Sequence, residues 1–341
     1  MELFHTNMLY WLANHRSNES IPIWRVLGLT DLHAFEEPRF IRREWRNIDL
    51  TISPGPGQRA LVIENKIGAI PNPGQLDGYY AGLVSRKLPF SSENTEYVLL
   101  TLTRPSFIAP APWRSMTYRD LLRALRQTAQ RLPGADRELI EAYTTLVERL
   151  DAVAIAYDPA RDLDTPASLL ADERHVLNEA RMLSLVEKLR ASRFAELATS
   201  ALKEHFGCTD PVGSGYSNGS AIYQWFIQGP AGRLFGWQIQ GGQFRLVVIT
   251  SENDPRLRGD REALVERLYE SYFDFSPPPG LSNALAGYTG RKTWLGYEPR
   301  FVYRYASLAP STTWRELVGL VLWFSNRALD FVDALRDERA P

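Results

Sequence analysis

The sequence predicts an α/β unit over residues 1–157 followed by an α+β unit with an antiparallel meander over residues 158–341. Three observations predict it. Up to about Leu150, helical periodicity and strand alternation are interleaved in the order α, β, β, α, β, α, α, and the run Tyr97–Thr103 is short, apolar and partly β-branched, as in a buried central strand. The stretch 158–168, DPARDLDTPAS, then mixes turn formers with charge and marks a boundary. Beyond it, three strand-like segments follow one another across glycine-containing turns. At 341 residues the chain also exceeds the usual size of a single core.

Each element has its own signal. Residues 2–14 set Leu3, Phe4, Met8, Leu9, Trp11 and Leu12 on one face of a first helix, with Glu2 and His5 one turn apart. Residues 46–53, RNIDLTIS, alternate polar and apolar; Pro54-Gly55-Pro56-Gly57 forces a turn, and Arg59–Lys66 returns as a second strand, so a β-hairpin is predicted. After the break at Ile70–Gly74 comes a helix over Gln75–Val84. Thr117 and Asp120 form a capping box ahead of Leu121, Leu122 and Leu125, and Glu138–Leu150 is helical.

In the second unit, Thr165 and Pro166 suit the N-cap and first position of a long helix reaching Phe206. Gly213-Ser214-Gly215 suggests a flexible loop. The meander comprises Ala221–Gln228, Arg233–Gln240 and Gln243–Thr250. A helix at Arg261–Tyr272, a Pro277–Gly280 loop, a strand at Arg300–Ser307 and a last helix from Thr313 to Leu335 complete it.

Composition excludes several classes. Nine Trp, fifteen Tyr and fifteen Phe in a 44% hydrophobic chain supply a globular core, and no run of about eighteen apolar residues could span a membrane. One cysteine, Cys208, rules out an internal disulfide framework and a cysteine-based zinc site, which fits a reducing compartment. The opening Met-Glu-Leu-Phe-His-Thr lacks a basic segment ahead of an apolar run, so a cytoplasmic location is expected. A net charge of −1 gives no polyanion-binding signal, although only five of the 39 basic residues are Lys, and Arg is the better bidentate partner for phosphate. The HExxH, GxxxxGK[ST] and GxSxG motifs do not occur.

One arrangement rises above background: Asp49, and fifteen residues later Glu64-Asn65-Lys66, on the two arms of the hairpin. Alternation puts Glu64 and Lys66 on one face and Asn65 on the other. Two carboxylates and an ammonium then converge if Asp49 faces the same way. Hard oxygen ligands suit Mg²⁺, which keeps several waters, and a divalent ion acidifies its water and stabilises charge on a phosphate under in-line attack. Lys66 would orient or deprotonate the water. The plainer alternative is a solvated hairpin with a cross-strand ion pair, worth about 0.2–1 kcal/mol. Against it, Glu64 follows the apolar Leu61-Val62-Ile63, where a charged residue needs a partner.

Residues 1–150 resemble the PD-(D/E)xK nuclease superfamily, in particular a bacterial branch whose strand reads I-E-N-K-I and is followed by a Q-L-x-x-Y-Y helix. The matching segments are Ile48-Asp49-Leu50, Ile63-Glu64-Asn65-Lys66-Ile67 and Gln75-Leu76-Asp77-Gly78-Tyr79-Tyr80. Phe4-His5-Thr6 and Tyr97–Thr101 resemble that branch's first helix and third core strand. The resemblance implies a restriction-endonuclease-like αβββαβ core, a mixed sheet flanked by helices, and a metal-dependent endonuclease or exonuclease acting on nucleic acid, DNA before RNA. The cofactor implied is Mg²⁺, with Mn²⁺ as substitute, and a setting in antiviral defence is where such nucleases tend to work.

Carried over, Asp49 and Glu64 are catalytic metal ligands, the Asn65 main-chain carbonyl is a further ligand with Glu2 as a candidate, and Lys66 is the catalytic lysine. Gln75 and Tyr79 are candidate substrate contacts, and His5, Arg43 and Arg46 are weaker ones. Pro71 and Pro73 depart from the family at the helix entry. Arg39, Arg42, Arg43 and Arg46, and again Arg119, Arg123 and Arg126, could track phosphates or be solvated faces.

In the second unit Tyr223, Trp225, Phe226, Phe235, Trp237 and Phe244 are expected to be core, with base stacking the alternative. The last helix, with Trp314, Leu317, Val321 and Phe324 at helical spacing, shows more apolar surface than one partner covers, and a homodimer is expected. Two other readings stay open: a non-catalytic nucleic-acid-binding or assembly protein that retains the fold, and a nuclease effector gated by a ligand or protein that the second unit senses.

Overall fold

The computed structural model describes residues 2–68, 73–85, 90–105, 107–208, 210–250, 270–278, 280–286 and 301–337. The chain divides into two compact units at Tyr157/Asp158.

The first unit opens with α1 (Glu2–His15) and α2 (Ile21–Val26), followed by β1 (Phe40–Trp45), β2 (Ile48–Ser53), β3 (Ala60–Lys66), α3 (Pro73–Val84), β4 (Thr95–Thr101), β5 (Trp113–Thr117), α4 (Tyr118–Arg131) and α5 (Gly134–Ala156). The strands form one sheet in the order β1-β2-β3-β4-β5. β1, β2 and β3 pair antiparallel across tight turns, whereas β3, β4 and β5 run parallel. The sheet is therefore mixed, and α3 makes the crossover between its parallel central strands.

Central position explains the run Ala60–Asn65, buried at every residue. On one face, Leu76 and Leu83 of α3 pack with Val62, Tyr97, Leu99 and Trp113, and the Trp113 indole N–H donates to the Leu76 carbonyl at 3.0 Å. Pro73 opens α3, a position where its missing N–H costs no bond; Pro71 lies outside the described residues. The capping box at α4 is formed: Thr117 donates to Asp120 through both its N–H and its hydroxyl.

Three elements carried no sequence signal. β1 is an edge strand whose middle residues are exposed, and β5 buries only Trp113 at full depth, so neither shows clean alternation. α2 is only six residues long. α5 begins at Gly134, earlier than Glu138.

The second unit contains α6 (Ala171–Glu179), α7 (Leu183–Phe206), β6 (Gly213–Ser217), β7 (Ser220–Gln228), β8 (Leu234–Gln240), β9 (Gln243–Ile249), β10 (Leu285–Ala286), β11 (Phe301–Leu308) and α8 (Trp314–Asp337). Its described strands form an antiparallel sheet ordered β10-β11-β9-β8-β7-β6. α7 and α8 pack on it: Phe244 meets Phe324 at 4.9 Å, and the Trp237 indole donates to Ser325 at 2.8 Å.

Three expectations are corrected here, and a fourth lies largely outside the described residues. Thr165 and Pro166 do not start a helix: Pro166 forms a β-bridge with Thr313, and the helical stretch is two helices, split where Arg181 adopts a left-handed φ of 55°. Gly213-Ser214-Gly215 is no flexible loop but part of edge strand β6, paired with β7. Of the expected helix Arg261–Tyr272, residues 261–269 lie outside the described residues, and Glu270–Phe273 form a 3₁₀ turn. The surface that argued for a homodimer is absent from α8, because Trp314, Leu317, Val321 and Phe324 are each at most 2% exposed within the unit. Tyr223, Trp225, Phe235, Trp237 and Phe244 are core, while Phe226 is half-buried. No described helix is long and apolar enough to cross a membrane.

Gly236 of β8 stands opposite Phe226, where any Cβ would overlap the Trp225 carbonyl oxygen. Gly236→Ala should therefore cost roughly 1–3 kcal/mol or more by forcing β7 and β8 apart, seen as a lower melting temperature; an unchanged one would mean the strands yield freely.

Candidate active site

The hairpin register sets the site. Leu50 pairs with Ile63, so one step further along the ladder Asp49 comes beside Glu64. There the ladder gives way to a side chain: Asp49 Oδ2 accepts the Asn65 N–H at 2.7 Å. Glu64 and Lys66 share the face of β3 that carries Val62, and Lys66 Nζ lies 2.9 Å from Glu64 Oε1. Glu64 is 2% exposed, and its Oε2 is buried with no hydrogen-bond partner.

This environment is hostile to negative charge. Burial, then the Asp49 charge, push the Glu64 carboxyl up to about 7 against the pull of Lys66. Asp49 is also raised, by burial first, with Glu2 and Glu44 adding repulsion while the Asn65 N–H and Lys66 oppose it. Burial alone would lower the Lys66 ammonium; the Glu64 hydrogen bond and charge, with Glu2 and Asp49, outweigh it and hold it above its ordinary value. Glu2 reaches the same end of β3, where its Oε1 accepts the Gly68 N–H at 3.2 Å.

Asn65 faces the other way. Its Nδ2 donates to Thr6 Oγ1 at 3.1 Å and to the Glu2 carbonyl at 3.2 Å, and its Oδ1 accepts the Tyr118 hydroxyl at 3.0 Å. The end of β3 is thereby tied to α1 and α4. His5 continues this buried network, its Nδ1 3.0 Å from the Tyr143 hydroxyl and its ring edge-on to Tyr118. Thr6, Tyr118 and Tyr143 escaped the sequence reasoning; the only hint was a few polar atoms on otherwise apolar helix faces, with no diagnostic spacing.

The structure thus brings together Asp49, Glu64, Asn65, Lys66 and Glu2. The candidate substrate contacts stand differently. Gln75 Nε2 donates to the Tyr79 hydroxyl at 2.5 Å, one turn along α3, and neither makes a hydrogen bond with Asp49, Glu64 or Lys66. Arg43 donates to Asn7 of α1 and lies over the Tyr10 ring. Arg46 sits in the β1–β2 turn with its guanidinium 4.3 Å from the Trp45 ring centre. His5 is fully buried, so as a substrate contact it is corrected to a support of the fold. Arg119 and Arg126 pair with Asp151 and Glu148 of α5 and so tie the two helices together.

Among the described residues no group of three or more His, Cys, Asp or Glu is placed to hold a metal ion. Two carboxylates nevertheless fit a hard divalent cation that keeps most of its waters. The buried, unpartnered Glu64 Oε2 and the mutual repulsion of Glu64 and Asp49 are what such a cation would relieve.

Residues 1–145 match the model of the PD-(D/E)XK nuclease superfamily. No curated protein and no solved structure matches the chain. The superfamily match ends within α5 and leaves the second unit unassigned. Glu64-Asn65-Lys66 has the E-x-K form of the superfamily's name, and Asp49 follows Ile48 where that name has proline. The match supports a metal-dependent nuclease in the first unit.

His5 yields a prediction on stability. Burial lowers its pKa to about 4, from an ordinary 6.5, so between these values the unfolded chain binds the extra proton. Stability should therefore fall as pH drops from 6.5 toward 4, by up to roughly 3 kcal/mol. In His5→Gln that acid-limb loss should shrink by the same amount in denaturant titrations; an identical limb in both proteins would contradict it.

Proposed function

We propose that residues 1–157 form a metal-dependent nuclease that hydrolyses phosphodiester bonds in DNA, of the branch with an I-E-N-K-I strand and a Q-L-x-x-Y-Y helix. The observation that carries this reading is the pairing of Asp49 with Glu64 at the end of β2 and β3, with the Lys66 ammonium 2.9 Å from Glu64 and one Glu64 oxygen left unpartnered. Asp49, Glu64 and the Asn65 main-chain carbonyl would hold Mg²⁺ or Mn²⁺, and Glu2 is close enough to add charge. A bound divalent ion supplies acidified water and stabilises the charge that builds on the phosphate.

The chain's own groups do the rest. Asp49 and Glu64 present oxygens of fixed direction, because the Asn65 N–H holds Asp49 and Lys66 holds Glu64. The Lys66 ammonium donates toward the attacking water or a phosphate oxygen. Asn65 anchors β3 to α1 and α4, so the carboxylates do not drift as a substrate loads. Attack by water needs no ribose 2′-hydroxyl, so the mechanism is open to DNA, the substrate proposed. The reading as a non-catalytic binding protein is disfavoured by the intact set Asp49, Glu64 and Lys66.

The purified chain should cleave DNA with Mg²⁺ or Mn²⁺ and lose activity in EDTA; equal activity in EDTA, or cleavage of RNA alone, would overturn the reading. Circular and linear substrates separate internal from terminal cleavage. Asp49→Ala and Glu64→Ala should reduce cleavage to background while far-UV circular dichroism is unchanged. Lys66→Ala should lose about 10²–10³-fold in turnover while Mn²⁺ affinity by calorimetry is retained. A parallel fall in affinity would make Lys66 a structural partner of Glu64.

A further inference from the structure

We propose that the second unit binds a small molecule carrying both an N–H donor and an anionic group, in a cavity of about 370 Å³ bounded by α7, the segment before α6, the β8–β9 turn and the start of α8. The volume lies within the range of small-molecule sites. The cavity opens to solvent beside Ser168 and Arg174, and its inner wall carries buried charged groups.

Charged residues reach this depth only when a partner compensates them. Glu187, 8% exposed, gives Oε1 to Arg174 Nη1 at 2.6 Å, while its Oε2 is buried with no hydrogen-bond partner. Tyr223, also 8% exposed, lines the cavity, and its hydroxyl makes no hydrogen bond among the described residues. Arg190, 7% exposed, donates to the Pro166 and Ala167 carbonyls, with its guanidinium 4.9 Å from the Trp314 ring centre. An unsatisfied buried carboxylate oxygen is destabilising, and a ligand donor would relieve it.

The lining specifies the chemistry. A carboxylate oxygen accepts, so the group meeting Glu187 Oε2 must be a donor, and an ammonium or charged N–H adds an attraction that a neutral hydroxyl lacks. Arg174 pairs with Glu187 through Nη1 alone, so the rest of its fork is the group on the lining that suits an anion. Arg174, with 47% of its side chain exposed, has donors left for a carboxylate or phosphate at the solvent side. Trp314 is flanked by Arg190 and by Phe194 at 5.3 Å, so hydrogen bonding and charge, not stacking, select the occupant. An amino acid offers this pair as ammonium and carboxylate, and a nucleoside monophosphate offers it as ring amine and phosphate.

Calorimetry on the intact chain with two probe sets, the amino acids and the four ribonucleoside monophosphates, separates these sources and does not depend on nuclease activity. Binding within one set, with a raised melting temperature, is expected. Glu187→Gln should weaken that binding tenfold or more, as should Ser168→Trp, which fills the exposed rim and leaves the charges intact. Absence of binding from both sets at millimolar concentration would overturn the proposal, as would undiminished binding in both variants when circular dichroism shows them folded. In that case the cavity holds water alone.

Discussion

The first unit depends on the two-residue period of a single strand. At the end of β3, Glu64 and Lys66 project to the face that carries Val62, while Asn65 projects to the opposite one. Consecutive residues thereby acquire opposite duties: one face meets Asp49 across the hairpin, and the other is bolted to α1 through Thr6 and to α4 through Tyr118. A slip of one residue in the β2–β3 register would exchange these faces, burying the carboxylate among helices and freeing the amide. The polar chemistry is therefore only as secure as the apolar pairs Leu50–Ile63 and Ile52–Leu61 that hold the register.

That dependence explains why the centre was legible in the sequence and its surroundings were not. Asp49, Glu64 and Lys66 lie within eighteen residues on two adjacent strands, so alternation and one turn suffice to bring them together. Thr6, Tyr118 and Tyr143 come from three helices scattered along the unit, and nothing local distinguishes Tyr118 from an ordinary helix-starting residue. The same limit governs the fold. The capping box at Thr117 was readable because its partner is three residues away, whereas Thr165-Pro166 carries the same local chemistry and is claimed instead by a bridge to Thr313. Local signals state what a segment can do, and tertiary pairing decides among the options.

Electrostatics separates structural polar groups from the chemical ones. Asn65, Thr6 and Tyr118 are buried and mutually hydrogen-bonded, an arrangement that rigidifies without leaving a donor or acceptor exposed to attack. Arg119–Asp151 and Arg126–Glu148 lie on the surface, where such pairs contribute little. Glu64 matches neither pattern. It is buried as deeply as the network residues, yet Lys66 satisfies one oxygen only, and the neighbouring Asp49 repels it.

A second carboxylate with the same signature lies in the other unit, and the comparison shows how neighbours assign a role. Glu64 and Glu187 each hold a cation on Oε1 and leave Oε2 buried without a partner. Beside Glu64 stands another carboxylate, so the local excess is negative and the deficit is one of positive charge, which a small divalent cation corrects in little space. Around Glu187 stand Arg174 and Arg190, and the adjoining space of about 370 Å³ is far larger than an ion requires. A bare cation there would meet two guanidiniums. A molecule with separated donor and anion would satisfy both Glu187 and Arg174, which is why the same orphaned oxygen leads to the proposal of a metal in one unit and of an organic ligand in the other.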